Sequence, residues 1–204
     1  MSSDPKIATE TEIVPANCSA PFDFEAIYGR RAALEVDLGC GEGSFLAALA
    51  AQNPERNFLG IERQVGRVRS ASHKIAVGGL TNTRVLRFEI AQAVSDLLPA
   101  GSVSVFHLMF PDPWPKRRHA RRRLFTQKFL GAINSALAPD GFLRISTDDT
   151  EYFKQIRRIA LESPNFAVTS LTDSAVPLSK FEKMFIQIGK PIHRLSLRKV
   201  SPVT

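Results

Sequence analysis

A glycine-rich loop is the first segment of the chain whose residue types indicate chemistry. Residues 37–43 read Asp-Leu-Gly-Cys-Gly-Glu-Gly and follow a short apolar run that has the character of a buried strand. Glycines such as Gly39 and Gly41 let the backbone turn sharply and approach a ligand without an intervening Cβ atom. Because a helical pattern follows, we interpret this segment as the cofactor loop of a doubly wound sheet.

Carboxylates around the loop indicate which cofactor it takes. The carboxylates of Asp37 and Glu42 would repel a pyrophosphate, but they suit the ammonium and sulfonium groups of S-adenosylmethionine. The two-residue period of a strand places Glu35 on the same side as Asp37. Glu62, 19 residues past the last glycine of the loop, is suited to accepting both ribose hydroxyls. Glu89, at the end of the next strand, is a candidate for the adenine amino group.

A proline-rich turn contains the candidate catalytic residue. Residues 110–116 read Phe-Pro-Asp-Pro-Trp-Pro-Lys, so prolines fix the backbone on both sides of Asp112. The turn follows an apolar run at 103–109, and the carboxyl end of such a strand opens into the ligand crevice of a parallel sheet. Trp114, the only tryptophan, is equally suited to stacking on a substrate base and to packing the turn onto the sheet.

A run of cations follows this turn directly. Six of the eight residues from 116 to 123 are Lys or Arg, and none is acidic. The formal net charge of the chain is +7, and without these six residues it would be +1. Lys and Arg bind phosphates with little regard to base sequence, so the run predicts a nucleic-acid surface. Its members are Lys116, Arg117, Arg118, Arg121, Arg122 and Arg123.

The remaining composition predicts one soluble domain in the cytoplasm. The 204 residues are 44% hydrophobic, which is enough for a single core. The two cysteines form no C-x-x-C pair, the first twenty residues lack a signal-peptide pattern, and no apolar run is long enough to span a bilayer. The four histidines are not spaced as metal ligands, so we expect no metal site.

Short apolar runs alternate with amphipathic stretches from Ala33 onward, which is typical of an α/β protein. We predict a Rossmann-like, doubly wound, mostly parallel sheet of seven strands with helices on both faces. Residues 33–204 are expected to form this single domain, and residues 1–32 a partly ordered arm with a short helix near 22–28. The predicted strands are 33–38, 57–62, 84–88, 103–109, 142–147, 166–171 and 193–199. The predicted helices are 44–52, 65–76, 91–97, 123–137 and 150–161, and a turn is predicted at 139–141.

Taken together, these segments resemble the bacterial tRNA (guanine-N7-)-methyltransferases, which are class I enzymes dependent on S-adenosylmethionine. The matching stretches are 34–41, 58–62, 110–116 with 118–119 and 122–123, 146–148 with Tyr152, and 179–182. The resemblance implies methylation of guanine N7 at position 46 in the tRNA variable loop, giving 7-methylguanosine and S-adenosylhomocysteine. Nothing in the sequence indicates an obligatory protein partner or separates a monomer from a homodimer.

The resemblance also implies roles for individual residues. Glu35, Glu62, Glu89 and Asp112 fall on cofactor-contacting positions, and Asp112 also falls on that of the catalytic acid. The tRNA-contacting positions are Lys116, Asp148, Ser179, Lys180, Phe181 and Glu182. Guanine N7 has an exposed lone pair, so no base is needed, and a fixed carboxylate at Asp112 favours the positive charge that develops on guanine. We hypothesise that Glu182 reads the guanine N1 and amino hydrogens, with support from Ser179. Asp148 is equally suited to capping the helix that follows it.

Three other interpretations are open at this point. A class I methyltransferase acting on an amino group would carry an Asn/Asp-Pro-Pro-aromatic turn, whereas a single proline separates Asp112 from Trp114 here. A nicotinamide-dependent oxidoreductase is disfavoured by Asp37 and by the lack of a Tyr-x-x-x-Lys motif. An RNA-binding protein with a vestigial cofactor pocket is suggested by Met184-Phe185, where the family usually has Arg-Gly.

Overall fold

An eight-stranded sheet forms the centre of the fold. The computed structural model describes residues 11–15, 17, 20–169 and 176–200. The strand order is β1-β4-β3-β2-β5-β6-β8-β7, and β8 runs antiparallel to both of its neighbours while all other pairs are parallel. The strands are β1 Glu12–Ile13, β2 Leu34–Leu38, β3 Asn57–Glu62, β4 Thr83–Arg87, β5 Val103–Met109, β6 Leu137–Thr147, β7 Phe166–Thr169 and β8 His193–Lys199.

Helices cover both faces of the sheet. They are α1 Phe24–Tyr28, α2 Ser44–Gln52, α3 Val65–Val77, α4 Ile90–Asp96, α5 Gln127–Ala136, α6 Thr150–Leu161, α7 Lys180–Gln187 and the 3-10 helix Arg117–Arg122. Side chains of β3 alternate between two buried clusters, as Phe58 and Leu59 show. Phe58 packs in the cluster formed with α2 and α3, and Leu59 in the cluster formed with α4, α5 and α6. None of the helices among the described residues is long and apolar enough to cross a membrane.

The predicted fold class is confirmed, with differences in individual elements. Five elements have the predicted bounds: the strands at 57–62, 103–109 and 193–199, and the helices at 44–52 and 150–161. The prediction of seven strands is wrong because Glu12–Ile13, too short to show a period, pairs with β4. Strand β6 continues back through the predicted turn to Leu137, and Asp140 there takes a φ of 58°. Residues 170–171 of the predicted seventh strand lie outside the described residues.

Two helix predictions need correction. Helix α5 begins at Gln127 rather than Arg123, because the side chain of Thr126 accepts a hydrogen bond from the N–H of Phe129 and caps the helix there. Helix α7 was not predicted at all. Its start carries a capping box, in which the Ser179 hydroxyl accepts from the Glu182 N–H and the Glu182 carboxylate accepts from the Ser179 N–H. The Ser-x-x-Glu spacing that signals such a box is present in the sequence.

Candidate active site

The carboxyl ends of the central strands open into one cleft of about 850 Å³. Strand β2 lies between β3 and β5. The chain first adds β3 and β4 on one side of β2 and then adds β5 and β6 on the other side. This reversal of strand order leaves a crevice at the carboxyl ends of the strands. The cleft is lined by the glycine loop, the ends of β3 and β5, the proline-rich turn and the start of α7. The predicted site residues that line it are Asp37, Gly39, Gly41, Glu62, Glu89, Asp112, Arg122, Ser179, Lys180 and Phe181.

The glycine loop has the backbone that only glycine adopts readily. Gly39, Gly41 and Gly43 have φ values of 84°, 54° and 74°. A Cβ atom on Gly43 would lie 2.7 Å from the Cβ of Ala71, so this glycine lets α2 start directly against α3. A Cβ atom on Gly41 would have no protein atom within 4 Å, because this part of the loop faces the cleft. The loop therefore combines one packing glycine with one that leaves room for a ligand.

Two buried carboxyl groups stand behind this loop. Asp37 is 3% exposed and Glu62 is 6% exposed. Asp37 is the last residue but one of β2, and Glu62 is the last residue of the adjacent parallel strand β3. Burial, and secondly the negative charge of Glu62, raises the pKa of Asp37 to about 7. The Oε1 atom of Glu62 accepts a hydrogen bond of 2.9 Å from the N–H of Gln64. A cation bound in the cleft would favour the charged form of Asp37.

The proline-rich turn holds Asp112 in a strained backbone. The Oδ1 atom of Asp112 accepts a hydrogen bond of 3.1 Å from the N–H of Trp114. Phe110 and Trp114 have φ values of 54° and 42°, which bulky side chains rarely adopt and which are found at functional sites. The Trp114 ring lines the cleft, with the Arg122 guanidinium 4.9 Å from its centroid and the ring of His119 edge-on at 5.7 Å.

Cations stand on two walls of the cleft. On one wall, Arg122 of the 3-10 helix lines the cleft. The exposed Arg118 and Arg121 of the same helix, and Lys116 before it, lie outside the cleft lining. The side chain of Arg117 lies outside the part of the chain that the structure describes. On the opposite wall, the exposed Arg63 and Arg67 also line the cleft. Sequence reasoning missed these two, although residues 63–77 contain four Lys or Arg and no acid.

Comparisons with known proteins identify the family of this chain. The family model described as "Putative methyltransferase" matches residues 31–195. A tRNA (guanine-N(7)-)-methyltransferase of Chromohalobacter salexigens is 35% identical over 87% of this chain and 75% of its own length. Another, from Leifsonia xyli subsp. xyli, is 39% identical over 87% of this chain and 81% of its own length. The chain belongs to the tRNA (guanine-N(7)-)-methyltransferase family. The oxidoreductase interpretation is therefore rejected.

Solved structures show the fold of this family member to be that of other methyltransferases. The 16S rRNA methyltransferase KamB has a TM-score of 0.62 at 17% identity and covers 88% of this chain and 93% of its own. A SAM-dependent O-methyltransferase from Thermotoga maritima has a TM-score of 0.60 at 15% identity and covers 98% of this chain and 73% of its own. At these identities the likeness concerns the fold alone, and it confirms the predicted Rossmann-like architecture.

Glu35 lies apart from the other family positions that the sequence assigns to the cofactor. Its Oε1 accepts a hydrogen bond of 2.6 Å from Arg56 and its Oε2 lies 2.8 Å from Nε2 of His107, and it does not line the cleft. Burial alone would raise the pKa of Glu35, but the hydrogen bonds and charges of His107 and Arg56 lower it. Glu35 does share a strand face with Asp37, yet it lies two residues, roughly 7 Å, further from the carboxyl end.

The start of α7 contributes only part of the predicted guanine-reading segment to the cleft. Ser179, Lys180 and Phe181 line it, and the Lys180 ammonium lies 3.5 Å from the Glu42 carboxylate across its mouth. Phe181 is 50% exposed, and its ring centroid is 6.2 Å from that of Phe110. Glu182 is buried instead, because its carboxylate takes part in the capping box and accepts hydrogen bonds from the Arg194 guanidinium, one of them 3.0 Å long.

Asp148 does not cap the helix that follows it. The N-cap of α6 is Asp149, whose Oδ1 accepts a hydrogen bond of 2.7 Å from the N–H of Tyr152. The Asp148 carboxylate lies 3.0 Å from the Lys190 ammonium and does not line the cleft. Of the two roles that the sequence allowed for Asp148, the capping role is therefore wrong.

Proposed function

We propose that this chain transfers the methyl group of S-adenosylmethionine to N7 of guanine at position 46 in the variable loop of tRNA. The products are 7-methylguanosine in the tRNA and S-adenosylhomocysteine. One observation carries the proposal: a single cleft joins the glycine loop, the Asp112 turn and a basic helix in a chain of the tRNA (guanine-N(7)-)-methyltransferase family.

The residues of the cleft fit S-adenosylmethionine. The buried carboxyl group of Asp37 suits a cationic ligand, Gly41 leaves space for close approach, and Glu62 has a carboxylate at the strand end where ribose hydroxyls bind. The Glu89 carboxylate accepts a hydrogen bond of 2.9 Å from the backbone N–H of Gln92 at the start of α4, which fixes its orientation beside the cleft. When bound, S-adenosylmethionine supplies a methyl group on a positively charged sulfur, which the lone pair of guanine N7 can attack.

The chemical work of the protein is positioning and electrostatics. Guanine N7 carries no proton at neutral pH, so no side chain has to act as a base. A bond forms between N7 and the methyl carbon while the bond from that carbon to the sulfonium sulfur breaks. The electron pair of the broken bond stays on sulfur, which becomes the neutral thioether of S-adenosylhomocysteine, and the positive charge passes to the guanine ring. The Asp112 carboxylate, oriented by its hydrogen bond to the Trp114 N–H, favours that charge. Holding the two reactants in attack geometry contributes roughly 7–11 kcal/mol.

The tRNA is held by cations on both walls of the cleft. One group of phosphate-binding cations lies at the 3-10 helix and consists of Lys116, Arg118, Arg121 and Arg122. The other group follows β3 and consists of Arg63 and Arg67. The half-exposed ring of Phe181 offers an apolar surface to the target base once it has left its stack. Contacts from Asp148 and Glu182 to tRNA follow from family resemblance, and both carboxylates already have protein partners in Lys190 and Arg194.

The test is to identify the labelled nucleoside. The protein is incubated with an unmodified tRNA transcript and methyl-labelled S-adenosylmethionine, and the RNA is digested. We expect label in 7-methylguanosine, and a loss of about 100-fold or more in rate for Asp112→Ala. Asp96→Ala, at an exposed aspartate outside the cleft, is the control and should keep its activity. Label in another nucleoside would reject the proposed target atom. Binding of tRNA with no label at all would favour the vestigial pocket.

A further inference from the structure

The peptide bond between Pro113 and Trp114 has both of its polar ends held by charged side chains. Its N–H group donates to the Asp112 carboxylate at 3.1 Å. Its carbonyl oxygen accepts from Nε of Arg123 at 2.6 Å. Because the two hydrogen bonds act on one conjugated unit, each polarises the peptide in the direction that strengthens the other. Arg123 and Asp112 are therefore connected through a single peptide group.

Arg123 is itself anchored on helix α6. Its NH1 group donates a short hydrogen bond to Oε1 of Gln155, and its guanidinium carbon lies 5.0 Å from the ring centroid of Tyr152. Tyr152 is fully buried, and its hydroxyl accepts from the N–H of Phe125. The side chain of Arg123 therefore links the turn to the packed body of the domain. Unlike the exposed Arg121 nearby, it is half-buried and directs its donors at the protein.

The turn needs such a link because its backbone is strained. Phe110 and Trp114, on either side of Asp112, both have positive φ values. Conformations of this kind persist only where the surrounding structure holds them. Asp112 is exposed, so core packing does not fix its position. Through its hydrogen bonds to the Pro113 carbonyl and to Gln155, Arg123 connects the turn to α6.

We propose that Arg123 is a positioning residue, which holds the Pro113–Trp114 peptide and through it the Asp112 carboxylate in the cleft. This assignment separates Arg123 from the phosphate-binding cations with which it is contiguous in sequence. Its kinetic consequence rests on the proposed function, whereas its effect on the order of the turn does not. The two roles predict different results when Arg123 is replaced. Loss of a phosphate contact weakens tRNA binding, whereas loss of a positioning residue lowers kcat.

The only tryptophan of the chain lies in this turn, so its fluorescence reports the order of the turn directly. For Arg123→Gln we expect lower anisotropy and faster acrylamide quenching of Trp114. We expect kcat to fall at least tenfold, and the KM for tRNA and the salt dependence of tRNA binding to change by less than twofold. Arg123→Lys, which keeps one donor for the Pro113 carbonyl, should recover part of both losses.

Two controls and a second site complete the experiment. Arg121→Gln should weaken tRNA binding and leave the anisotropy of Trp114 unchanged. Arg158→Gln changes an exposed residue of α6, the helix that carries Gln155, and it should alter neither activity nor fluorescence. Gln155→Leu removes the anchor of Arg123 without touching the turn, and it should repeat the Arg123→Gln pattern in weaker form if Arg123→Gln fails to fold.

Unchanged Trp114 anisotropy in both Arg123→Gln and Gln155→Leu would overturn the proposal. So would a loss confined to tRNA affinity with kcat intact, because that is the signature of a phosphate contact. If the unaltered chain methylates no guanine, the proposed function fails. The anisotropy comparison then still decides whether Arg123 orders the turn.

Discussion

The carboxyl group of Asp37 lies buried beside that of Glu62 at the ends of two adjacent parallel strands, and its pKa is raised to about 7. Burial is the first cause and the charge of Glu62 the second. A cation in the cleft favours the ionised form of Asp37. Binding of a cationic ligand and loss of the Asp37 proton are therefore linked.

This linkage predicts that cofactor affinity depends on pH. Below pH 7 the Asp37 carboxyl group is mostly protonated, so ligand binding has to displace a proton. The Kd of S-adenosylhomocysteine, which keeps the ammonium group, should fall roughly tenfold per pH unit between pH 5 and pH 7 and then level off. Calorimetric titration of the protein and of Asp37→Asn measures this. The variant should bind weakly with a flat profile, and an unchanged pH dependence in Asp37→Asn would contradict the linkage.

Glu35→Gln should reduce stability rather than cofactor affinity. The change weakens a buried pair with His107 and Arg56, and we expect a loss of about 2–4 kcal/mol in the free energy of unfolding at pH 7. The pKa of Glu35 is lower in the folded state than in the unfolded chain. Its contribution is therefore present above the unfolded pKa and is lost as pH falls through the folded pKa. Urea denaturation at pH 7 and pH 4 should show a smaller difference at pH 4.

Calorimetry on the same variant tests the alternative that Glu35 contacts the cofactor, as family resemblance implies. We expect the Kd of S-adenosylhomocysteine to change by less than about threefold. A stable Glu35→Gln protein with affinity reduced by tenfold or more would show that the carboxylate acts on the ligand.

Two glycines of the loop should respond differently to alanine. Gly43→Ala brings a Cβ atom to 2.7 Å from Ala71 and keeps a positive φ, so we expect a loss of about 2–4 kcal/mol in stability. Gly41→Ala meets no protein atom, so it should cost only about 1 kcal/mol but obstruct the cofactor. Thermal unfolding and calorimetric titration separate the two effects. Equal stability losses would contradict the packing role given to Gly43.

The two basic walls should both contribute to the salt dependence of tRNA binding. Arg121→Ala and Arg63→Ala should each lower the slope of log K against log salt by about 0.7–0.9, because each removes one phosphate contact. Filter binding or anisotropy with labelled tRNA at several salt concentrations measures the slope. Arg87→Ala, at an exposed arginine of β4 outside the cleft, is the control. If Arg121→Ala lowers the slope and Arg63→Ala leaves it unchanged, tRNA contacts only the wall of the 3-10 helix.

Local patterns predicted the elements around the glycine loop well. The glycine loop, α2 and the strand ending in Glu62 depend on short-range periods and on turn glycines, and the structure has them at the predicted residues. The two-residue period correctly predicted that Glu35 shares a strand face with Asp37. It could not predict how far Glu35 lies from the cleft, because that distance depends on where β2 ends and the cleft begins.

Contacts between distant segments determined what sequence reasoning missed. Within an unbroken basic run, nothing local distinguishes Arg123 from Arg121, and only the approach of α6, some thirty residues later, turns Arg123 inward. The family resemblance implies a tRNA-contacting role for residues 179–182, and their Ser-x-x-Glu spacing is also that of a helix cap. The Arg194 partner that buries Glu182 comes from β8.

The most direct test of the central claim is methylation of a tRNA whose guanine at position 46 is replaced by 7-deazaguanine. This base keeps the Watson–Crick edge and the ring shape, but a carbon replaces N7 and removes the lone pair. With methyl-labelled S-adenosylmethionine, we predict full label in the guanine-46 tRNA and none in the 7-deazaguanine-46 tRNA, while both bind equally. Equal labelling of the two would contradict the claim that guanine N7 at this position is the methyl acceptor.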